Sequence, residues 1–207
     1  MEHIVLLGDS VFDNKSYVGL SPSVIEHLKG MIPRDWSATL CAVDGTSISE
    51  IQSQIPEVPS EATCLFVSVG GNDAIDNAHL LTEMTKPGPV LLAELEAISD
   101  KFRNDYKRAI DSVCSLKKPV YLCTIYNGNL ESNIAAAAKA AVAIFNDKIY
   151  SVANEKGLLT IDLREICNMP ADYATPIEPS VIGGKKIAKS IYENVLGLQE
   201  YRKKIKN

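Results

Sequence analysis

Three short polar segments of this chain each follow an apolar run, and the first of them carries a serine. Gly8-Asp9-Ser10 directly follows the run Ile4–Leu7. That run predicts a buried strand, and the turn after it would place the Ser10 hydroxyl at the carboxyl edge of a sheet, where open α/β sheets bind ligands. A serine at that edge is a candidate nucleophile. Taken alone, the same three residues are equally typical of an ordinary turn.

The other two segments offer hydrogen-bond donors. Gly45 follows the second apolar run, and Asn72 follows Gly70-Gly71 after the third. Acyl transfer needs a nucleophile and preorganised donors aimed at the developing oxyanion. The Ser10 N–H, the Gly45 N–H and the Asn72 side-chain amide would be three such donors if the sheet brings these strand ends together. Each segment alone is more typical of a turn, but the ordered set favours a site.

The composition indicates a globular chain and argues against several function classes. The length of 207 residues suits one domain with a sizeable core, and 46% hydrophobic with 23% charged residues is ordinary for such a domain. A net charge of −5 gives little support to nucleic-acid binding. No stretch approaches the roughly 18 apolar residues that span a bilayer. The oligomeric state is left open.

The cysteines and the N-terminus indicate a cytoplasmic setting. The five cysteines are an odd number, widely spaced, and contain no Cys-x-x-Cys pair, so a zinc site or any other metal site is not expected. The chain enters its first strand without a basic segment or cleavage-type spacing, so we expect no signal peptide. The cysteines are Cys41, Cys64, Cys114, Cys123 and Cys167.

Strand-like and helix-like segments alternate along the chain. The strand-like runs lack clean alternation of apolar and polar residues, which predicts strands buried on both faces, as in a parallel sheet. The alternation predicts one doubly wound α/β domain over residues 1–200, followed by a basic tail, 201–207, that we expect to fray. The predicted strands are 3–8, 37–43, 62–69, 119–125 and 158–162, and the predicted helices are 21–30, 47–54, 90–116, 132–156 and 181–196.

The polar segments together resemble the sequence blocks of the SGNH hydrolase superfamily, the GDSL-type esterases and lipases. Gly8-Asp9-Ser10 matches block I, Gly45 matches the block II glycine, and Gly70-Gly71-Asn72-Asp73 matches block III. Phe12-Asp13-Asn14 also resembles common continuations of block I. The resemblance implies a three-layer α/β/α flavodoxin-like fold with a five-stranded parallel sheet and no cofactor. It also implies Ser10 as nucleophile, with Ser10, Gly45 and Asn72 as the oxyanion hole.

Block V departs from the family pattern. The family has Asp-x-x-His at this place, and here Thr175 stands for the aspartate and Glu178 for the histidine. A serine needs a base to become a useful nucleophile. An unperturbed glutamate, with a pKa near ~4.3, is poorly matched to that task. Burial beside the apolar Ile177 and Pro179 would raise its pKa.

Four accounts of the missing histidine stay open. Glu178 is the base, directly or through water, which we favour; or His79, in the irregular segment 71–89 at the ligand-binding edge, replaces it. A third account gives the role to an aspartate, although each candidate is more typical of a turn or cap. In the fourth, the base is lost and the protein binds a ligand without hydrolysing it. The aspartates are Asp13, Asp73 and Asp172, and the other histidines, His3 and His27, are expected to be structural.

The favoured function is hydrolysis of a small ester, carrying an O-acetyl or other short-chain acyl group, through a Ser10 acyl-enzyme. Asp9 and Asp73 are expected to support the turns, and the partner is a small-molecule ester. No long apolar lid is evident in the sequence, so a long-chain lipid is less favoured than a small or sugar-borne acyl group. The alternatives are acyl transfer to an acceptor other than water, and a binding protein without catalysis.

Overall fold

A computed structural model describes residues 1–83 and 85–206; Met84, in the segment 71–89 that the sequence predicts to be irregular, and Asn207, the last residue of the tail, lie outside the described residues. Five strands form one sheet in the order β2-β1-β3-β4-β5, and every neighbouring pair is parallel. All five predicted strands are confirmed, four of them shorter than predicted. The strands are β1 (His3–Gly8), β2 (Ser37–Leu40), β3 (Cys64–Ser68), β4 (Val120–Cys123) and β5 (Leu159–Ile161).

The helices fill the intervals between the strands. The predicted helices over 90–116 and 132–156 are confirmed, and the segment predicted as a helix over 47–54 is a 3₁₀ helix, whose capping box joins Ser47 and Glu50. The α-helices are α1 (Lys15–Val18), α2 (Val24–Met31), α3 (Gly71–Ile75), α4 (Gly88–Cys114), α5 (Ser132–Lys156), α6 (Leu163–Ile166) and α7 (Val181–Lys206), and the 3₁₀ helices are Ile48–Glu57, Ala78–Thr82 and Pro170–Asp172.

The sheet is buried on both faces, and β1 shows why its sequence does not alternate in polarity. Ile4 and Leu6 belong to one core cluster, which includes residues of α2 and α7. Val5 and Leu7 point to the opposite face, into a second cluster with residues of α4 and α5. Successive strand residues face opposite sides, so a strand covered by helices on both sides is apolar throughout. The predicted three-layer α/β/α fold is thereby confirmed.

The end of the chain differs from the prediction. The sequence predicts that the last helix ends near residue 196 and that the tail frays, but α7 continues to Lys206. Arg202 donates to Oε1 of Glu2 at 3.1 Å and to the backbone oxygen of Thr63 at 3.2 Å. The Glu2 carboxyl is buried and needs a cationic partner. This pairing between the two ends of the chain cannot be read from the local composition of the tail.

The remaining structural expectations concern thiols and membranes. All five cysteines are free, four of them buried and Cys114 half-buried. None of the helices in residues 1–83 and 85–206 combines the length and the apolar character that crossing a membrane requires.

Candidate active site

The turn after β1 is pressed against the end of β3. Gly8 has a φ of +128°, and a Cβ there would lie 1.7 Å from the backbone oxygen of Ser68, so only glycine fits. The next residue, Asp9, donates its N–H to that same oxygen at 2.9 Å. Ser10 follows at the carboxyl edge of the sheet, 7% exposed, and lines a cavity.

The turns after β2 and β3 are tied to this one by hydrogen bonds. The N–H of Val43 donates to the backbone oxygen of Gly8 at 3.0 Å. The side-chain amide of Asn72, at the start of α3, donates to the backbone oxygen of Thr46 at 3.0 Å. The structure therefore holds the three sequence segments next to one another, as the sequence analysis required of a site.

Gln54 is a residue of this arrangement that the sequence analysis missed. Its side chain accepts from the Gly8 N–H and donates to the Gly8 backbone oxygen, both at 2.8 Å, and it also donates to Thr46 Oγ1 at 3.1 Å. The residue is 3% exposed. One available signal was its spacing: Gln54 lies three residues after the buried Ile51, on the apolar face of a helix where a polar residue needs a partner.

The three donors predicted for an oxyanion hole keep hydrogen atoms that the fold does not use. In the part of the chain that the structure describes, neither the Ser10 N–H nor the Gly45 N–H donates to an acceptor. Asn72 has two amide hydrogens and one bond to Thr46, so one hydrogen remains. Gly45 has a φ of +81°, and a Cβ at that residue would meet nothing within 4 Å.

Glu178 is carried by a loop that closes on itself. Tyr173 and Pro179 form an antiparallel bridge, and Ala174 donates its N–H to the backbone oxygen of Glu178 at 2.8 Å. The hydroxyl of Thr175 accepts the N–H of Glu178 at 3.1 Å. Thr175 therefore stabilises the turn, and among the described residues its hydroxyl makes no bond to the Glu178 side chain.

The Glu178 side chain lines the same cavity as Ser10 and Asn72 and is 7% exposed. Burial raises its pKa, the neighbouring Ser10 hydroxyl lowers it, Asp44 raises it further, and the result is a pKa of about 7. No hydrogen bond of good geometry joins Glu178 to Ser10 within the described residues, and the buried Glu178 Oε2 has no partner there. The carboxylate is thus near the serine with an oxygen free to accept a proton.

Asp9 is a second carboxyl group in the cavity with a raised pKa. It is 3% exposed, and its Oδ1 accepts the Val11 N–H at 3.1 Å. Burial raises the pKa of Asp9 to about 7; the Val11 N–H lowers it, and Glu178 and Asp73 raise it. The Glu178 carboxylate is thus one of the charges that disfavour ionisation of Asp9.

Asn14, which lies between the turn after β1 and α1, connects this part of the chain to the loop that carries Glu178. It is fully buried; its Nδ2 donates to the backbone oxygen of Pro179 at 3.2 Å, and its Oδ1 accepts the Val24 N–H at 2.9 Å. In the sequence, Asn14 is distinguished only as part of the block I resemblance. Its partners lie 10 and 165 residues away, which no local pattern indicates.

The three histidines lie outside the cavity lining. His79, the suggested substitute base, is exposed in the 3₁₀ helix Ala78–Thr82. His3 lies at the amino edge of the sheet, with Nε2 2.8 Å from Thr39 Oγ1, and His27 is half-buried on α2. This placement does not favour His79 as the base.

The remaining aspartates have structural partners. Asp13 accepts the Asp44 N–H at 3.0 Å, and Asp73 accepts the Ile48 N–H at 3.0 Å. The fully buried Asp172 pairs with Lys186 Nζ, 2.7 Å from its Oδ1. Among residues 1–83 and 85–206 no group of three or more His, Cys, Asp or Glu side chains could hold a metal ion.

The fold is similar to that of several solved lipases and esterases. An extracellular lipase from Streptomyces rimosus has a TM-score of 0.71 and 16% identity, covering 94% of this chain and 99% of its own. A phospholipase A1 from Streptomyces albidoflavus has a TM-score of 0.71 and 14% identity, covering 93% and 98%. A catalytic mutant of an acetylxylan esterase from Geobacillus stearothermophilus has a TM-score of 0.67 and 16% identity, covering 93% of each chain.

Comparisons of the sequence, unlike the comparison of structures, give no match. No model of a protein family and no curated protein sequence matches the chain. The structural similarity extends over nearly the whole length of both chains in each comparison. A member of the lipolytic G-D-S-L family from Veillonella parvula is also similar in structure. The chain therefore has the fold of the GDSL-type lipases and esterases, as the resemblance of its sequence blocks implied.

Proposed function

We propose that this chain is a serine ester hydrolase in which Ser10 is the nucleophile and Glu178 accepts its proton. The observation that carries the proposal is the Glu178 carboxylate. It is buried beside Ser10, lines the same cavity, keeps one oxygen without a partner among the described residues, and has a pKa raised by burial to about 7. A base with a pKa near the working pH is the most effective for proton transfer.

In the acylation half of the proposed reaction, Ser10 Oγ bonds to the carbonyl carbon of the ester while its proton passes to Glu178. The carbonyl oxygen becomes an oxyanion, which the free hydrogens of Ser10 N–H, Gly45 N–H and Asn72 are available to bind. When the intermediate collapses, the bond from carbon to the alcohol oxygen breaks, and the alcohol takes the proton from Glu178. The product of this half is an acyl group on Ser10.

Deacylation repeats these steps with water. Glu178, ionised again, takes a proton from the water whose oxygen attacks the acyl carbon. Collapse of the second intermediate breaks the bond to Ser10 Oγ, which takes the proton back from Glu178, and releases the acid. No cofactor takes part in this scheme. The sequence alone favours a short acyl chain.

The fold supports the proposal but does not carry it. The solved structures with this fold include a lipase, a phospholipase and acetylesterases, so the fold accommodates several ester substrates. What is particular to this chain is a glutamate where the block V histidine is expected. Asp9 and Asp73 have supporting roles in the proposal, since each accepts a backbone N–H in the turns around the site.

The proposal is tested by hydrolysis of p-nitrophenyl acetate, butyrate and octanoate. We expect turnover by the unaltered protein and none above background for Ser10→Ala. Glu178→Gln keeps the size of the side chain but not its basicity, and we expect its kcat to fall by about 10²- to 10⁴-fold, the range for loss of a general base.

Matched controls separate chemistry from folding. Ser99→Ala removes a serine that is buried in α4 outside the cavity lining, and Glu57→Gln neutralises an exposed glutamate; both should keep the unaltered rate. Equal turnover in the Ser10→Ala and unaltered proteins would contradict the proposal. If no ester is turned over, the alternative of a binding protein without catalysis gains support.

A further inference from the structure

The cavity next to Ser10 has a volume of about 520 Å³, within the range of small-molecule sites. Its polar lining, which includes Ser10, Asn72 and Glu178, lies where the strands end. From there the cavity continues between α4, α5 and the 3₁₀ helix Ala78–Thr82. An acyl group on Ser10 would therefore lie at the entrance of this space.

The part of the cavity between the helices is lined almost entirely by hydrocarbon. Three elements contribute large apolar side chains to it: Leu80 from the 3₁₀ helix, Leu91 and Leu95 from α4, and Ile134, Val142 and Phe145 from α5. Two further apolar residues of the lining, Ile75 and Leu92, are 44% and 65% exposed, and an exposed apolar patch around a cavity is typical of a binding site.

Alanines on α5 leave the space open. Ala138 and Ala141 both line the cavity, one turn apart, at positions where a larger residue would fill it. By its composition alone, the alanine-rich run Ala135–Ala138 would indicate close packing between helices. In the structure, part of this side of α5 faces the cavity instead.

We propose that the acyl group taken up by Ser10 is a medium or long aliphatic chain, and that the apolar cavity between α4, α5 and Ala78–Thr82 binds it. This inference rests on the proposed hydrolase function and revises its preference for a short acyl group. No segment had the appearance of a long apolar lid in the sequence, because the apolar walls come from separate elements that only the fold brings together.

Chain-length dependence of hydrolysis tests the inference. We expect kcat/KM for p-nitrophenyl esters to rise from acetate to octanoate by about fourfold for each methylene group buried. Ala141→Phe should remove most of this rise while acetate is still hydrolysed. Ala143→Phe is the matched control, because Ala143 is exposed on the same helix outside the lining, and it should keep the full rise. A rate that is highest for acetate and declines with chain length would overturn the inference.

Binding to the Ser10→Ala protein separates this inference from the proposed function. Octanamide and acetamide are uncharged and differ only in chain length, and calorimetry should show tighter binding of octanamide, which Ala141→Phe weakens and Ala143→Phe does not. Equal affinity for the two amides would overturn the inference whatever the turnover. A preference for octanamide in a protein that hydrolyses no ester would support the pocket and contradict the hydrolase.

Discussion

At the scale of single residues, a glutamate as the base gives the proposed reaction different charges from those that a histidine would give. A histidine becomes a cation when it takes the proton from serine and then faces the oxyanion with opposite charge. Glu178 becomes neutral at the same step and cannot attract the oxyanion in that way. The three donors of Ser10, Gly45 and Asn72 must therefore provide more of the stabilisation, and burial must keep the carboxyl basic enough to act.

The motif identified Ser10, Gly45, Asn72 and Glu178 as site candidates, but the sequence did not determine the state of Glu178. The pKa of a carboxyl group depends on how deeply the whole fold buries it and on which charges approach it. Here the charge of Asp44 raises the pKa of Glu178, and the charge of Glu178 raises the pKa of Asp9. These interactions are between residues that are far apart in the sequence, so no local pattern predicts them.

Asp9 should make the protein less stable as the pH rises. Its pKa is about 7 in the fold, against an ordinary value of 3.8, so the folded state binds the proton more tightly. The resulting contribution is full below the unfolded pKa and is lost as the pH rises through about 7. A shift of this size corresponds to about 4 kcal/mol at full ionisation. Asp9→Asn should gain stability relative to the unaltered protein between about pH 5 and pH 8, measured by urea unfolding.

Glu57→Gln is the control for this measurement, because Glu57 is exposed and its substitution should leave the pH dependence unchanged. A stability difference between Asp9→Asn and the unaltered protein that stays constant over this pH range would show that Asp9 ionises normally in the fold.

At the scale of elements, the strands and long helices were predictable from the local spacing of apolar residues. That spacing reflects burial on both faces of the sheet and on one face of each helix. The long-range ties that position the site were not. Gln54 bonds the turn after β1 from a 3₁₀ helix, and Asn14 joins that region to the Glu178 loop. A single buried amide has no periodic signature, and its partner is set by the tertiary fold.

Asn14→Ala should therefore affect both stability and turnover. It leaves the Pro179 backbone oxygen and the Val24 N–H without their partner, and each unsatisfied buried group costs about 1–3 kcal/mol. Because Pro179 follows Glu178, we expect a several-fold loss of kcat in the variant even at temperatures where it remains folded. Thermal unfolding and p-nitrophenyl ester turnover measure the two effects.

Asn168→Ala removes an exposed asparagine that bonds only locally, to the backbone oxygen of Glu165, and serves as the control. If Asn14→Ala matched this control in both melting temperature and turnover, the proposed role of Asn14 in positioning the Glu178 loop would be wrong.

At the scale of the whole molecule, the fold joins the two ends of the chain. Burial raises the pKa of Glu2, but bonds from Thr63, Gln199 and Arg202 outweigh burial, and the pKa is lowered overall. Packing between other elements creates the cavity between α4 and α5, which the sequence did not reveal. Features that depend on elements distant in sequence are the ones that periodicity cannot predict.

Arg202→Ala should destabilise the protein more at neutral pH than in acid. Glu2 has a lowered pKa in the fold, so its contribution is present above the unfolded pKa and is lost as the pH falls through the folded one. We expect a loss of about 1–3 kcal/mol near pH 7, from a buried carboxylate deprived of its partner, and less near pH 4. Chemical unfolding at the two pH values measures it.

Lys203→Ala, at an exposed residue of α7, should change little. Ester turnover should be unaffected by Arg202→Ala, because Arg202 lies at the amino edge of the sheet and the site lies at the carboxyl edge. Equal stability of the Arg202→Ala and Lys203→Ala proteins at neutral pH would indicate that the end of α7 is not held against Glu2.

The most direct test of the central claim is the rate at which an organophosphonate labels Ser10, measured as a function of pH for the unaltered protein and for Glu178→Gln. It reports activation of the serine and does not depend on the acyl group of the substrate. We predict that labelling of the unaltered protein rises as the pH passes through about 7, where Glu178 loses its proton, and that Glu178→Gln labels at least about 100-fold more slowly without this rise. Labelling of Ser10 at the same rate in both proteins would contradict the role of Glu178 as its base.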